Sequence, residues 1–203
     1  VCLKDFGVLC ALGNSKQQVF TNLVSGKSDF LTLDSDLPLD EPQYVGRITL
    51  PPLAELNEIS TYNNKLAYLA YKQIENTLTP LIAQFGVERV AVVIGTSTAS
   101  IYEGELARSE LASSGNFPES YHYQVQEMSA PATYIAQLAN AKGPVYGIST
   151  ACSSSGKALV SAKALIDADL ADVVITGGVD SLTRLTINGF QSLESISKTT
   201  CRP

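Results

Sequence analysis

Tyr146-Gly147-Ile148-Ser149-Thr150-Ala151-Cys152-Ser153-Ser154-Ser155-Gly156-Lys157 reads as a strand that ends, turns, and delivers one cysteine to the first turn of a long helix of small residues. A thiol placed there faces unpaired backbone N–H groups and the positive end of the helix dipole, and both favour thiolate over thiol. That pattern describes a covalent nucleophile. The plainer alternative is a buried structural thiol, a common fate of a free intracellular cysteine.

Outward from this stretch, Val145–Ser149 is expected as a strand, 152–166 as a helix and 172–177 as a further strand. The aliphatic run across 89–95 adds another strand, buried on both faces. Strand, helix and strand alternate, which predicts an α/β fold with a mostly parallel sheet and right-handed crossovers. The helix after Cys152 carries Ser153, Ser154, Ser155, Gly156, Ala158, Ala162 and Ala164, with few charges, so it is expected to be packed between layers. Lys157, if buried there, needs a partner and is expected to reach a polar edge. An acidic-faced helix is expected over 102–111, a loop over 113–127, and a helix over 130–140 ended by Gly143-Pro144. Leu66, Leu69, Ala70, Ile74 and Leu78 recur at helical spacing and predict one helix over 63–78. Residues 28–62, with Asp34, Asp36 and four prolines, read as a surface excursion rather than core. Ser15 caps a short helix over 17–24 that Gly26 ends, and Val1–Leu12 reads as a first strand broken at Gly13-Asn14. No linker divides the chain.

Composition excludes several classes. The 203 residues are 45% apolar and 17% charged, so the chain is globular. A net charge of −6 without a Lys/Arg cluster argues against nucleic acid as a partner. No apolar run is long enough to span a bilayer, and no basic start precedes an apolar stretch, so no membrane role and a cytoplasmic location are expected. Cys2, Cys10, Cys152 and Cys201 are scattered and His122 is the single histidine, so neither a metal site nor a disulfide framework is expected. There is no G-x-G-x-x-G or P-loop, and no cofactor is expected.

The context of Cys152 is similar to the elbow that lifts a catalytic side chain above a sheet. The hydrolase form G-x-S-x-G is not met, since Gly147-Ile148-Ser149-Thr150-Ala151 lacks the last glycine. Ser154-Ser155-Gly156-Lys157 fits S-x-x-K, but the companion motifs of that class are absent, and Lys198-Thr199-Thr200 misses its glycine. Ser149–Leu159 resembles the active-site signature of the β-ketoacyl-acyl carrier protein synthases, within the thiolase-like superfamily. Ala171–Ser181, Asn188-Gly189-Phe190 and Cys201-Arg202-Pro203 fit the same pattern, as do Phe6–Gly13 and Ile94-Gly95-Thr96-Ser97. The wording around Gly177–Phe190 is similar to synthases of polyketide and aryl-polyene-type pathways. The resemblance covers the whole chain but only the first half of a family member. With no initial methionine and no closing element, residues 1–203 are expected to be the N-terminal half of a synthase, without the C-terminal half.

The resemblance implies a thiolase-like fold, of which this chain is one half of an α-β-α-β-α layering. It implies Cys152 as the acyl-accepting nucleophile, with its own N–H as one oxyanion donor. Phe190 matches a phenylalanine near the acyl pocket, and His122 and Tyr123 fall in a loop that in relatives lines that pocket near a dimer interface. His122 is therefore not a candidate base, and its plainer reading is a loop histidine that is exposed or hydrogen bonded. The implied reaction is decarboxylative Claisen condensation of the acyl-cysteine with malonyl-carrier protein, in fatty acid or polyketide-type synthesis. The second step implies two histidines, a lysine and a phenylalanine gate from the second half, so this chain alone is expected to be inactive. Implied partners are acyl- and malonyl-loaded acyl carrier protein, and a homodimeric or related heterodimeric subunit. Relatives often show arginines near the segment matching Ser60–Leu66, where this chain has only Lys65. Two rivals stand: an acyltransferase of the same superfamily acting on coenzyme A thioesters, and a non-catalytic partner subunit that sets chain length. Cys152 counts against the second.

Overall fold

A computed structural model of the chain describes residues 1–26, 29–34 and 42–197. Part of the 28–62 segment, including Pro38, and the Cys201-Arg202-Pro203 stretch lie outside the described residues. Helix α1 (Lys16–Val24) begins as expected on Ser15, whose hydroxyl accepts from the Gln18 N–H at 3.3 Å, and Gly26 follows it at φ +65°. Strands β1 (Thr32–Asp34) and β2 (Gln43–Val45) pair antiparallel. The excursion is less superficial than its composition implies. Val45, Leu56 and Ile59 are buried, and the buried Asp34 carboxylate accepts from Arg47 Nε at 2.9 Å.

Two helices stand where one was expected, α2 (Tyr62–Lys72) and α3 (Glu75–Phe85). At the break, Gln73 N–H and Ile74 N–H bond three residues back, to Ala70 and Tyr71. Leu66 and Leu78 are buried on either side of it, so apolar spacing does not register the break.

Strand β3 (Val90–Gly95) is buried at all six positions. Helices α4 (Ile101–Ser114) and α5 (Ala130–Ala139) follow, then β4 (Val145–Ile148), α6 (Ser154–Asp167), β5 (Val173–Gly178) and α7 (Arg184–Ser192). The sheet runs β4-β3-β5, all parallel, with Val92 opposite Val145 and Val90 opposite Val173. Side chains of β3 alternate between two cores. Val90, Val92 and Ile94 pack with α5, α2 and α3; Ala91 and Val93 pack with Ala158 and Leu165 of α6. The β3–β4 crossover uses one face and one direction, and the β4–β5 crossover uses the opposite of both. The two crossovers therefore share one hand. This is the expected α/β arrangement, with helices on both faces of a parallel sheet.

Two further expectations fail. Val1–Leu12 forms no strand; its one ladder contact is a bridge between Cys10 and Gly13. Val1, Leu3 and Phe6 are exposed, so these strand-forming residues meet no sheet edge among the described residues. The segment is instead tied down by side chains: Gln73 Nε2 donates to the Val8 carbonyl at 3.0 Å, and Thr77 Oγ1 donates to Asp5 at 2.7 Å. The second failure is α6, which is not enclosed on all sides. Ser154, Ala158, Ala162 and Leu165 face the sheet, while Lys157, Leu159 and Val160 are exposed. Lys157 therefore needs no buried partner.

Candidate functional site

The site is built where the three parallel strands end. The chain leaves β3 towards β4 and later returns to the other side of β3, and such a reversal opens a crevice at the carboxyl ends of the strands. Three loops meet there: 96–100 after β3, 149–153 after β4, and 179–183 after β5.

The elbow at Cys152 is held by short side chains. Ser154 Oγ accepts from the Thr150 N–H at 2.9 Å and donates to the Ala151 carbonyl at 2.6 Å. Ser97 Oγ donates to the same carbonyl at 3.1 Å, and Ser153 Oγ donates to the Thr150 carbonyl at 2.9 Å. Together they hold Ala151 at φ +52°, a left-handed conformation unfavourable for a residue with a Cβ. Cys152 follows, exposed, at the tip of the turn. It lies two residues before α6 rather than in its first turn, because Ser153 occupies the cap position. Ser153 and Ser154 are thus explained as turn chemistry, each bonding back to the Thr150-Ala151 backbone.

Two glycines let the helix start so close to the sheet. A Cβ on Gly95 would lie 2.4 Å from the Ser154 carbonyl carbon, and one on Gly178 would lie 2.5 Å from Ser155 Cβ. Only bare backbone permits that approach.

Asp180 was missed by sequence reasoning. Its Oδ1 accepts from Ser97 N–H at 2.8 Å, Thr98 Oγ1 at 2.9 Å, and Thr98 N–H and Thr96 Oγ1 at 3.1 Å. One carboxylate oxygen thereby shapes the turn whose Ser97 supports the elbow. The signal available was the hydroxyl run Thr96-Ser97-Thr98, of which Thr96 and Thr98 are buried and demand an acceptor. Asn63, also buried, adds a bond from Nδ2 to Thr98 Oγ1 at 3.3 Å.

His122 is exposed and precedes a 3₁₀ turn, Tyr123–Gln126. Gln126 Nε2 donates to the Ser100 carbonyl at 2.9 Å, which fixes this turn against the start of α4. The loop then presses on β4: a Cβ on Gly147 would sit 2.3 Å from the Met128 carbonyl oxygen. The backbone of the loop is therefore beside the elbow strand, yet Tyr123 itself is 72% exposed. Phe190 is 48% exposed on α7. Cys152, His122, Tyr123 and Phe190 line neither the cavity between Gly7–Leu9, α2 and β5 nor the one between α2, α4 and the start of α7. Among the described residues, no group of three or more His, Cys, Asp or Glu is placed to hold a metal, and no helix is long and apolar enough to cross a membrane.

This arrangement can present a thiol to an incoming electrophile at the mouth of a helix start, with the elbow backbone fixed beforehand. The chain is 24% identical over 202 residues to 3-oxoacyl-[acyl-carrier-protein] synthase 1 of Haemophilus influenzae, covering 96% of this chain and 50% of that protein. It is 34% identical over 76 residues to nodulation protein E of Rhizobium meliloti, covering 37% of this chain and 19% of that one. It thus spans half or less of the curated relatives it matches. Among solved structures, a chain of the complex between the ketosynthase ApeO and its chain length factor ApeC, from Xenorhabdus doucetiae, superposes with a TM-score of 0.86 at 37% identity, over 98% of this chain and 51% of that one. The ishigamide ketosynthase/chain length factor superposes at 0.75 with 15% identity, over 96% and 50% of the two chains, a likeness of fold alone. Residues 69–203 match the family described as "Beta-ketoacyl synthase, N-terminal domain". With the match running from α2 through the Cys152 elbow and beyond α7, the chain belongs to the beta-ketoacyl synthase family.

Proposed function

We propose that this chain is the nucleophile-bearing N-terminal half of a β-ketoacyl synthase, and that Cys152 accepts the acyl group. The observation that carries the reading is the elbow: an exposed thiol at the end of β4, on a turn fixed by Ser97, Ser153 and Ser154. In the first step the Cys152 thiolate attacks the carbonyl carbon of an acyl thioester. The Cys152 N–H faces the tetrahedral oxyanion; collapse breaks the old C–S bond and releases the donor thiol, which takes up a proton. In the second step malonyl thioester loses CO₂. The resulting enolate carbon attacks the acyl-cysteine, forming the C–C bond and returning the Cys152 thiolate. An enolate needs nearby donors, and His122 is the only histidine in the chain, so the second step belongs to the whole synthase.

Phe190, His122 and Tyr123 are proposed as acyl-pocket residues that act when the rest of the synthase or a partner subunit covers their exposed faces. The proposed donor is acyl carrier protein, and the proposed assembly is a dimer with a like or related subunit, in the cytoplasm. The complex of ApeO with a chain length factor supports such pairing.

Intact-mass measurement after incubation with acyl-carrier protein or the matching acyl-coenzyme A tests this. The expected result is one acyl adduct, mapped to Cys152, faster from the carrier and absent in Cys152→Ala. Equal transfer from coenzyme A points to the acyltransferase rival. No adduct from either donor overturns the reading in favour of a non-catalytic partner subunit.

A further inference from the structure

Five arginines occur in the chain, and three of them line one cavity of about 740 Å³. They come from distant elements: Arg47 after β2, Arg108 on α4, and Arg184 at the start of α7. All three are exposed. In a chain of net charge −6 this is a local inversion of sign. Arg89, by contrast, sits at the opposite end of β3, bound to Asp169 at 2.5 Å and Asp172 at 2.6 Å.

The rest of the wall is apolar and aromatic. Leu66 and Leu106 line it with Tyr62 and Tyr102, whose rings tilt at 55° with centroids 6.2 Å apart. Two carboxylates also line the cavity, but the fold uses both. Glu105 accepts from the N–H groups of Leu185 at 2.7 Å and Arg184 at 3.1 Å, and Asp180 shapes the 96–98 turn. Arg47 pairs with Asp34, whereas Arg108 makes no hydrogen bond or ion pair among the described residues. The Ser181 hydroxyl, on the same wall, is buried without a partner among them.

We propose that this cavity binds an amphipathic anion, with a carboxylate or phosphate at the arginine rim and an apolar or aromatic tail along Tyr62, Tyr102, Leu66 and Leu106. Its size falls within the roughly 300–1,000 Å³ common for small-molecule sites. Guanidinium groups suit both anions because their planar forks bond them in pairs. A concave site with an apolar floor takes a molecule with a tail, which a bare inorganic ion lacks. The assignment does not depend on Cys152 chemistry, although Asp180 stands on the wall of this cavity and also orders the turn behind the elbow.

Calorimetric titration of the intact protein with decanoate, decyl phosphate and decanol tests the proposal. Saturable binding of one or both anions is expected, at least about tenfold tighter than decanol, and the first two arms identify the head group. Arg108→Gln should weaken that binding by about tenfold; Ser109→Phe, which narrows the cavity without changing charge, should weaken it too. Cys152→Ala should leave it unchanged, so loss of acyl transfer and loss of this site are read separately. Equal affinity for decanol, full affinity in both variants, or binding of an acidic protein with neither small anion would overturn it.

Discussion

Asp180 shows how much of a site can hang on a single oxygen. Its Oδ1 gathers four donors from Thr96, Ser97 and Thr98, and Ser97 in turn holds the Ala151 carbonyl beside the nucleophile. Asp180→Ala leaves those donors without an acceptor, at an expected cost of about 1–3 kcal/mol in urea unfolding. It should also slow acylation of Cys152, which separates it from a merely structural loss. Asp180→Asn keeps one acceptor oxygen and should fall between the two. The place of Cys152, on the turn between a strand and a small-residue helix, was legible in the sequence, and its exposure sets aside the buried-thiol reading. Asp180 was not legible, since its partners lie more than 80 positions away and nothing local marks a carboxylate as an acceptor for a distant turn.

At the scale of elements, the contact between α6 and the sheet sets the elbow. Gly95 and Gly178 admit the first turn of α6 to within backbone contact of β3 and β5. Gly95→Ala forces a Cβ into the Ser154 backbone, which cannot swing aside as a side chain would. Overpacking of this kind costs about 1–3 kcal/mol, and thermal melting should show at least that loss. Acylation of Cys152 should fall further than stability does, because the displaced atoms are those of the elbow itself. The strands β3 and β5 were legible from their aliphatic runs, α1 from its Ser15 cap and Gly26, α4 from its acidic face, and α5 from the Gly143-Pro144 stop after it. The break between α2 and α3 was not, since the apolar face continues across it. Val1–Leu12 misled because strand-forming residues make a strand only where neighbouring strands receive them. The start of α6 was placed two residues early because serine at a cap and serine in a first turn look alike in sequence.

At the scale of the molecule, the opening segment is held to α1 and α3 by electrostatics. Hydrogen bonds from Lys16 and then Thr77, with the Phe6 N–H, hold the Asp5 carboxyl down to about 2. A carboxylate with its folded value below its unfolded value of about 3.9 contributes stability above that upper value. The contribution is lost as pH falls through about 2. Melting temperatures of the wild type and Asp5→Asn should therefore differ at pH 7 and converge between about pH 4 and pH 2. A constant gap across that range would mean that Asp5 acts through shape alone. The order of strands carries a further consequence, for synthesis rather than for chemistry. The central strand is the first of the three to be made, yet Val90 pairs with Val173, and the flanking residues Arg89 and Asp172 are 83 positions apart. At about 5–20 residues per second the ribosome needs about 4–17 s to cover that distance. For that interval Val90-Ala91-Val92-Val93-Ile94 is a sticky ribbon without one of its two neighbours, and a chaperone is its natural companion until the last strand emerges.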